Sequence, residues 1–233
     1  MDQYMSRKFD RALSELTGDG LSWLPWVGKG YSLSNRQRLL VVGESHYCNL
    51  PGAVAARKAA QDHGATDTYT RGCISDYEIT DPQHIRTFQN MKRAFIGQGN
   101  VDSVEFWSRV AFYNFVQREM VRNSHRNERP NGLDYFQGWK VFLNVVRVLK
   151  PTHCVFIGVT AFNSFEIAMG ALGLPSEPVK RLDRIGGTHG RMAGVGLGDK
   201  RLKMVGIQHA GGRFSWSKWH GFLQRNCEID VFA

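Results

Sequence analysis

Arg38-Leu-Leu-Val-Val-Gly-Glu-Ser-His-Tyr-Cys48 carries an unbroken run of branched apolar residues that stops at Gly43 and gives way to polar side chains. A short run of this kind reads as a strand buried on both faces, and its abrupt end as the carboxyl edge of a parallel sheet. Three later stretches repeat the pattern: RVAFYNF over 109–115, PTHCVFIG over 151–158 and LKMVGIQ over 202–208. Helical spacing recurs between them, through Ile85, Phe88, Met91 and Phe95 over 83–97, and through Phe136, Trp139, Leu143, Val146 and Leu149 over 133–149. Residues 160–172, closed by Gly173 and Pro175, and residues 214–225 supply two more helices. Strand, glycine and helix in repeated order mark βαβ units. The expected fold is a three-layer α/β/α domain over 1–233 with a central, mainly parallel four-stranded sheet.

Outside these elements the pattern is less regular. Phe9, Leu13 and Leu16 suggest an amphipathic helix over 5–17, within an N-terminal helical extension of about 1–35 that also holds the Trp- and Gly-rich stretch LSWLPWVGKGYSLSN. From Cys48 to Pro82 an Ala-rich segment predicts a short helix, and TDTYTRGCISDYEIT, having no apolar face, predicts a functional or mobile loop over about 60–82. REMVRNSHRNERPNG, 118–132, reads as an arginine-rich surface loop and a candidate phosphate contact. IGGTHGRMAGVGLGD, 185–199, reads as loop and hairpin.

With 233 residues, 42% of them hydrophobic and 22% charged, the chain can bury a core without disulfides, which argues against a fibrous or wholly disordered protein. Its cysteines lack any CxxC spacing, so neither structural zinc nor an iron–sulfur site is expected, and free thiols in a reducing compartment are. The N-terminus lacks the apolar stretch of a signal peptide, and no run of about 18 apolar residues occurs. A cytoplasmic location without membrane contact is the expectation. A formal charge of +9 makes nucleic acid a candidate partner, because Lys and Arg displace counterions from phosphate backbones. A solvated basic surface is the plainer alternative.

Ligands of open α/β sheets bind beyond the carboxyl ends of the strands. Those ends deliver Glu44, Ser45, His46 and Tyr47, then Tyr113 and Asn114, then Gly158 to Thr160, and finally Gln208 and His209. Glu44 could instead cap a following helix, and His46 or His209 could be structural hydrogen bonders. Asn114 stands in an otherwise aromatic and apolar strand, where a buried amide must find partners. An amide offers a donor and an acceptor together, as reading the Watson–Crick edge of a base requires. Other motifs fail. Gly28-Lys29-Gly30 lacks the ending of a phosphate loop, Gly194 to Gly198 precedes a strand rather than a helix, and GESHY is no serine-hydrolase elbow.

The order of these motifs resembles the uracil-DNA glycosylase superfamily over roughly residues 36–225. Its members carry a first-strand motif of the form GQDPYH or GEAPG and a late HPSP motif. Here the first is Gly43-Glu44-Ser45-His46-Tyr47-Cys48 and the second His209-Ala210-Gly211-Gly212, while AFYNFV resembles the strand whose asparagine recognises the base. The resemblance implies DNA as partner, no cofactor and no obligatory protein partner. It implies that Asn114 pairs with an extruded base, that Tyr47, flanked by His46, walls its C5 edge, and that His209 stabilises charge on the departing base. Arg213 and Phe214 fall where the family carries a minor-groove wedge, and Tyr69 or Tyr77 are candidates for stacking on the base.

The chain departs from the family's pattern at informative positions. Ser45 stands where one branch has aspartate and others asparagine, and a serine is no match for a carboxylate as a base near neutral pH. This leaves Glu44 or Ser45 to position water. His46 replaces the motif's proline, and the proline and serine of HPSP are absent. The expected function is hydrolysis of the N-glycosidic bond of a flipped-out uracil or other modified base. The alternatives are a non-catalytic nucleic-acid- or base-binding module of the same fold, or an enzyme of free nucleosides or nucleotides.

Overall fold

In the computed structural model, residues 3–33, 37–48, 69–121 and 127–232 are described. The main sheet has seven strands, three more than expected, in the order β1 (Trp26–Val27), β4 (Ala111–Asn114), β2 (Leu39–Gly43), β6 (His153–Ile157), β9 (Lys200–Ile207), β8 (Thr188–Leu197) and β7 (Lys180–Ile185). At its centre β4, β2, β6 and β9 run parallel, and these are the four strands expected from the apolar runs. Every residue of β2 is buried, which is why the run contains no polar alternation. The additional strands are antiparallel edges: β1 beside β4, and β8 and β7 beyond β9. A second, two-stranded sheet pairs β3 (His46–Cys48) in parallel with β5 (Glu119–Val121).

The hairpin expected in the Gly-rich stretch is present, β7 and β8 pairing antiparallel across a turn at 186–187, but more of the stretch is strand than expected. Its glycines hide the alternation, and at Gly190 the reason is contact: a Cβ there would collide with the ring of Phe222 packed on the sheet. The N-terminal region is also less helical than expected. Only α1 (Asp10–Ser14) and a 3-10 turn at Thr17–Asp19 form, while Trp26 and Val27, pointing to opposite faces, add an edge to the sheet. Phe9 and Leu16 still pack on the core without belonging to the helix.

Helices cover both faces. On one side α1, α5 (Gly132–Leu149) and α6 (Phe165–Ala171, preceded by a 3-10 turn at Thr160–Ser164) enclose a core with Leu40, Val42, Tyr113 and Phe156. Asn131 opens α5 with a capping box to Asp134. Trp139 of α5 sits among the rings of Phe115, Phe165, Phe156 and Phe142 at centroid distances of 4.9, 5.0, 5.4 and 5.6 Å. On the other side α3 (Arg86–Ile96), α4 (Ser103–Arg109) and α7 (Trp216–Cys227) pack against Leu39, Val41, Phe112, Val155 and Ile207. No helix among the described residues is long and apolar enough to cross a membrane.

The polar stretch expected as a loop is helical where it is described, with α2 (Tyr69–Ile74) running into a π-helical turn at Ser75–Thr80. The Ala-rich helix expected before it falls on 49–68, outside the described residues. Periodicity could not show this segment because part of its inward face is charged. Arg71, 3% exposed, donates to both carboxylate oxygens of Asp10 and to the Pro25 carbonyl. Glu78 is fully buried with Lys92 of α3 at 2.6 Å, and its Oε2 also accepts from Trp107 Nε1 at 3.1 Å. Lys92 further donates to Ser103 Oγ.

Breaking such a pair from one side leaves an uncompensated buried charge. Lys92→Met is expected to lower the unfolding free energy by about 3–5 kcal/mol in urea denaturation. Adding Glu78→Leu should recover much of that loss, and a single variant costing less than about 1 kcal/mol would contradict the account.

Candidate functional site

The described helices α3 and α4 between β2 and β4 lie on one face of the sheet, whereas α5, between β4 and β6, lies on the other. The direction of winding reverses between β2 and β6, and a crevice opens there beyond their carboxyl ends. It holds a cavity of about 800 Å³. Four parallel strands feed it: β2 through Gly43, Glu44 and Ser45, β4 through Phe112 and Asn114, β6 through Ile157 to Thr160, and β9 through Gln208 and His209. His46, Tyr47, Tyr69 and Tyr77 line it as well.

Asn114 closes β4 directly beside Gly43, its parallel partner. The residue is only 6% exposed, yet among the described residues its side-chain amide makes no hydrogen bond. The amide lies over Gly43, where a Cβ would collide with Asn114 Oδ1. Glycine at the end of β2 is thus required by the neighbouring strand's side chain. Beyond it the two strands stay paired, Phe115 N donating to Gly43 O and Val116 N to Glu44 O, each at 2.9 Å. Gln117 Nε2 donates to the Asn114 carbonyl and Gln117 Oε1 accepts from Ser22 N and Trp23 N, so the turn after β4 is pinned to the N-terminal segment.

His209 enters from the opposite wall on a loop that α3 supports. Asn90 Nδ2 donates to the Ala210 carbonyl at 3.0 Å and to the Gly211 carbonyl at 3.3 Å, and Arg86 donates to the Gly212 carbonyl at 2.8 Å. His209 as a whole is exposed, yet the protein surface around its imidazole desolvates it enough to push its pKa below the usual 6.5; Glu44 opposes this and Arg129 adds to it. The ring is therefore neutral at pH 7, with one N–H to donate. Glu44 is the one acidic residue lining the cavity among the described residues. Its Oε1 accepts from Tyr135 Oη at 3.3 Å. Burial first and Glu44 second hold the Tyr135 hydroxyl well above its usual pKa, so it remains a donor.

Ser45 lines the cavity with its Oγ buried and lacking a hydrogen-bond partner among the described residues. His46 is tied into an aromatic corner, with Nε2 3.0 Å from Thr70 Oγ1 and its ring 4.3 Å from Tyr69 and 5.1 Å from Trp23. Tyr47 donates to the Glu128 carbonyl at 3.1 Å, which fixes its ring as a wall. Arg213 and Phe214 do not line the cavity. Arg213 is exposed, while Phe214 is half-buried and stacks on Trp219 at 6.2 Å and 12°.

Sequence reasoning missed Tyr135, Asn127 and Arg129 as individual site residues. Tyr135 sits at the start of a helix whose apolar face drew the attention. Asn127 and Arg129 lie in the arginine-rich run, where composition pointed to the segment but not to the side chains. No group of three or more metal-ligating side chains occurs among the described residues.

No protein-family model matches the chain, and no curated protein matches it in sequence. Fold and site define it by class: a mixed α/β protein whose central, mostly parallel sheet, flanked by helices, ends in a polar cavity with aromatic walls.

The charges around His209 make its titration a direct test of this geometry. By NMR its midpoint should lie below 6.5. Removing the Arg129 cation with Arg129→Gln should raise it, and Glu44→Gln should lower it further. Movement of either variant in the opposite sense would place these groups away from the imidazole. Gly43→Ala should displace the Asn114 amide and weaken ligand binding as strongly as Asn114→Ala does.

Proposed function

We propose that the protein is a DNA glycosylase of uracil-DNA glycosylase type, which takes a flipped-out uracil or other modified base into this cavity and hydrolyses its N-glycosidic bond. The observation that carries the reading is the amide of the buried Asn114 over Gly43, without a hydrogen-bond partner among the described residues and set in a cavity with His209 on another wall. The amide's polar atoms face the cavity, where a base edge that offers both an acceptor and a donor can pair with them. The positions of the motifs agree with the resemblance: GESHYC follows the first parallel strand, Asn114 ends the second in chain order, and His209 follows the last.

The chemistry then follows from the walls. Asn114 holds the base edge, and the fixed ring of Tyr47 stands against its C5 side. Tyr77 and Tyr69 supply aromatic surface, although Tyr69 already packs on His46 and Trp23. As the bond between C1′ and the base nitrogen breaks, its electron pair leaves with the base. His209 donates its N–H to the resulting anion, an interaction much stronger in the transition state than before it. Glu44, oriented by Tyr135, accepts a proton from the water that attacks C1′. Ser45, whose hydroxyl is a weak base and whose Oγ is buried away from that water, takes no part in activating it.

Base release from single-stranded and mispaired oligonucleotides carrying uracil, hypoxanthine or xanthine tests the reading. Wild type should leave abasic sites, and Asn114→Ala and His209→Ala should each slow release by about 10²-fold or more. Tyr47→Ala should admit 5-methylated bases, and unchanged discrimination between uracil and thymine would reject its role as a wall. Failure to release any base, with selective binding of one of them, would replace the glycosylase by a base-binding module built on the same pocket. Failure to release or select any base would overturn both.

A further inference from the structure

Within the cavity one charged group is left without a task in base recognition or bond cleavage. Arg129 is exposed at the wall and makes no ion pair among the described residues. It is also the one Lys or Arg lining the cavity among the described residues. Asn127, two residues earlier, lines the same wall and is likewise exposed.

The intervening residue shows how they come to be there. Glu128 is held by Arg118 Nη1 at 2.7 Å and by the Val121 backbone N–H at 2.8 Å, while its own N–H donates to the Val121 carbonyl at 2.9 Å. Arg118 in turn grips both carboxylate oxygens of Asp134, at 2.6 and 2.7 Å, at the start of α5. Hydrogen bonding and charge from Arg118 hold the Asp134 carboxyl below its usual pKa. Glu128 is lowered chiefly by the Val121 N–H and then by Arg118. The clamp therefore stays ionised across neutral pH. Glu128 is fastened to the clamp, while Asn127 and Arg129 on either side of it line the cavity.

We propose that Arg129, assisted by Asn127, is a phosphate-binding subsite at the mouth of the cavity, so that the occupant is a nucleotide unit and not a free base or nucleoside. This inference rests on the reading that the cavity takes a base from DNA, and it adds the side chains that hold the phosphate beside that base. A guanidinium with its fork of donors suits a phosphate oxygen pair, and an amide beside it supplies one more donor. Glu44, the acid that lines the same cavity, would repel such an anion and thereby favours its placement on the Arg129 side. Arg118, although in the same arginine-rich run, is consumed by the clamp and is a positioning residue for this subsite.

The test compares three probes: a labelled single-stranded oligonucleotide with one uracil, deoxyuridine 5′-monophosphate and deoxyuridine. Arg129→Ala should weaken oligonucleotide binding by roughly tenfold and flatten the plot of log affinity against log salt by about 0.7. Arg129→Lys should restore the slope. A parallel loss for the monophosphate would show that the subsite accepts a free phosphate, whereas a loss confined to the oligonucleotide would assign it to a phosphodiester of nucleic acid. An unchanged affinity and slope in Arg129→Ala would overturn the proposal, as would an equal loss for deoxyuridine. Asn114→Ala separates this inference from the reading beneath it. If that variant loses preference for uracil while Arg129→Ala changes nothing, the phosphate subsite falls alone. If Arg129→Ala flattens the slope while Asn114→Ala leaves base preference untouched, the base pocket falls and the anion site stands. Absence of binding by wild type to all three probes would overturn both.

Discussion

The end of β2 must accept the side chain of its neighbour, and a residue with a Cβ cannot do so. Asn114 lies over Gly43 because β2 and β4 are parallel and in register there, Gly43 opposite Asn114. That register is in turn fixed by the burial of both strands, since a slip by one residue would exchange the apolar sets of the two faces. Leu40, Val42 and Tyr113 belong to the core beneath α5, while Leu39, Val41 and Phe112 belong to the one beneath α3, α4 and α7. The placement of one amide in the cavity is thus a consequence of how two hydrophobic cores divide the same strands. Glu44 and Ser45, next along the chain, inherit their positions from it.

A second constraint supports the opposite wall. α3 supplies Asn90 and Arg86 to the loop carrying His209, and α3 is itself bonded to the π-helical turn through Lys92 and Glu78. Burying two full charges costs several kcal/mol per ion before their attraction is counted, so a hydrophobic pair could hold these elements at least as well in energy alone. What the ion pair adds is a fixed partner: Glu78 Oε2 meets Lys92, Trp107 and Ser103 in one arrangement, although Oε1 stays buried without a hydrogen-bond partner among the described residues. The turn that carries Tyr77 to the cavity is therefore set against α3 by polar geometry.

The same distinction explains what could be read in the sequence. The four parallel strands were legible because short, largely apolar runs that stop abruptly, two of them at Gly43 and Gly158, have few other uses. The strand ends then gave Glu44, Asn114 and His209 as residues able to converge. β8 was legible only as part of a hairpin, because Gly190, Gly194 and Gly196 remove the side chains whose alternation would give its length, and 69–80 was not because Arg71 and Glu78 look like surface residues. Arg129 depends on ion pairs between Arg118, Glu128 and Asp134, whose partners are visible only once the loop is folded against α5. Phe214 shows the converse. A phenylalanine after a histidine motif suits a wedge, but whether its ring projects or stacks on Trp219 is decided by packing that no local pattern records.

On the proposed reading, the charges in the cavity divide between two kinds of work. A phosphate carries its charge before and during bond cleavage, so a cation that holds it binds ground state and transition state alike and contributes to affinity. Charge on the base appears only as the glycosidic bond breaks, and a neutral N–H aimed at that position contributes to rate instead. Were His209 protonated in the free protein, it would act as a second cation and attract anions that have not yet reacted. Arg129 opposes that protonation and Glu44 favours it, with desolvation the largest influence on the neutral side. The cation at the mouth therefore has two effects that follow from one position: it offers a partner to a charge that is always present, and it favours the neutral imidazole of His209, which can respond to one that is not.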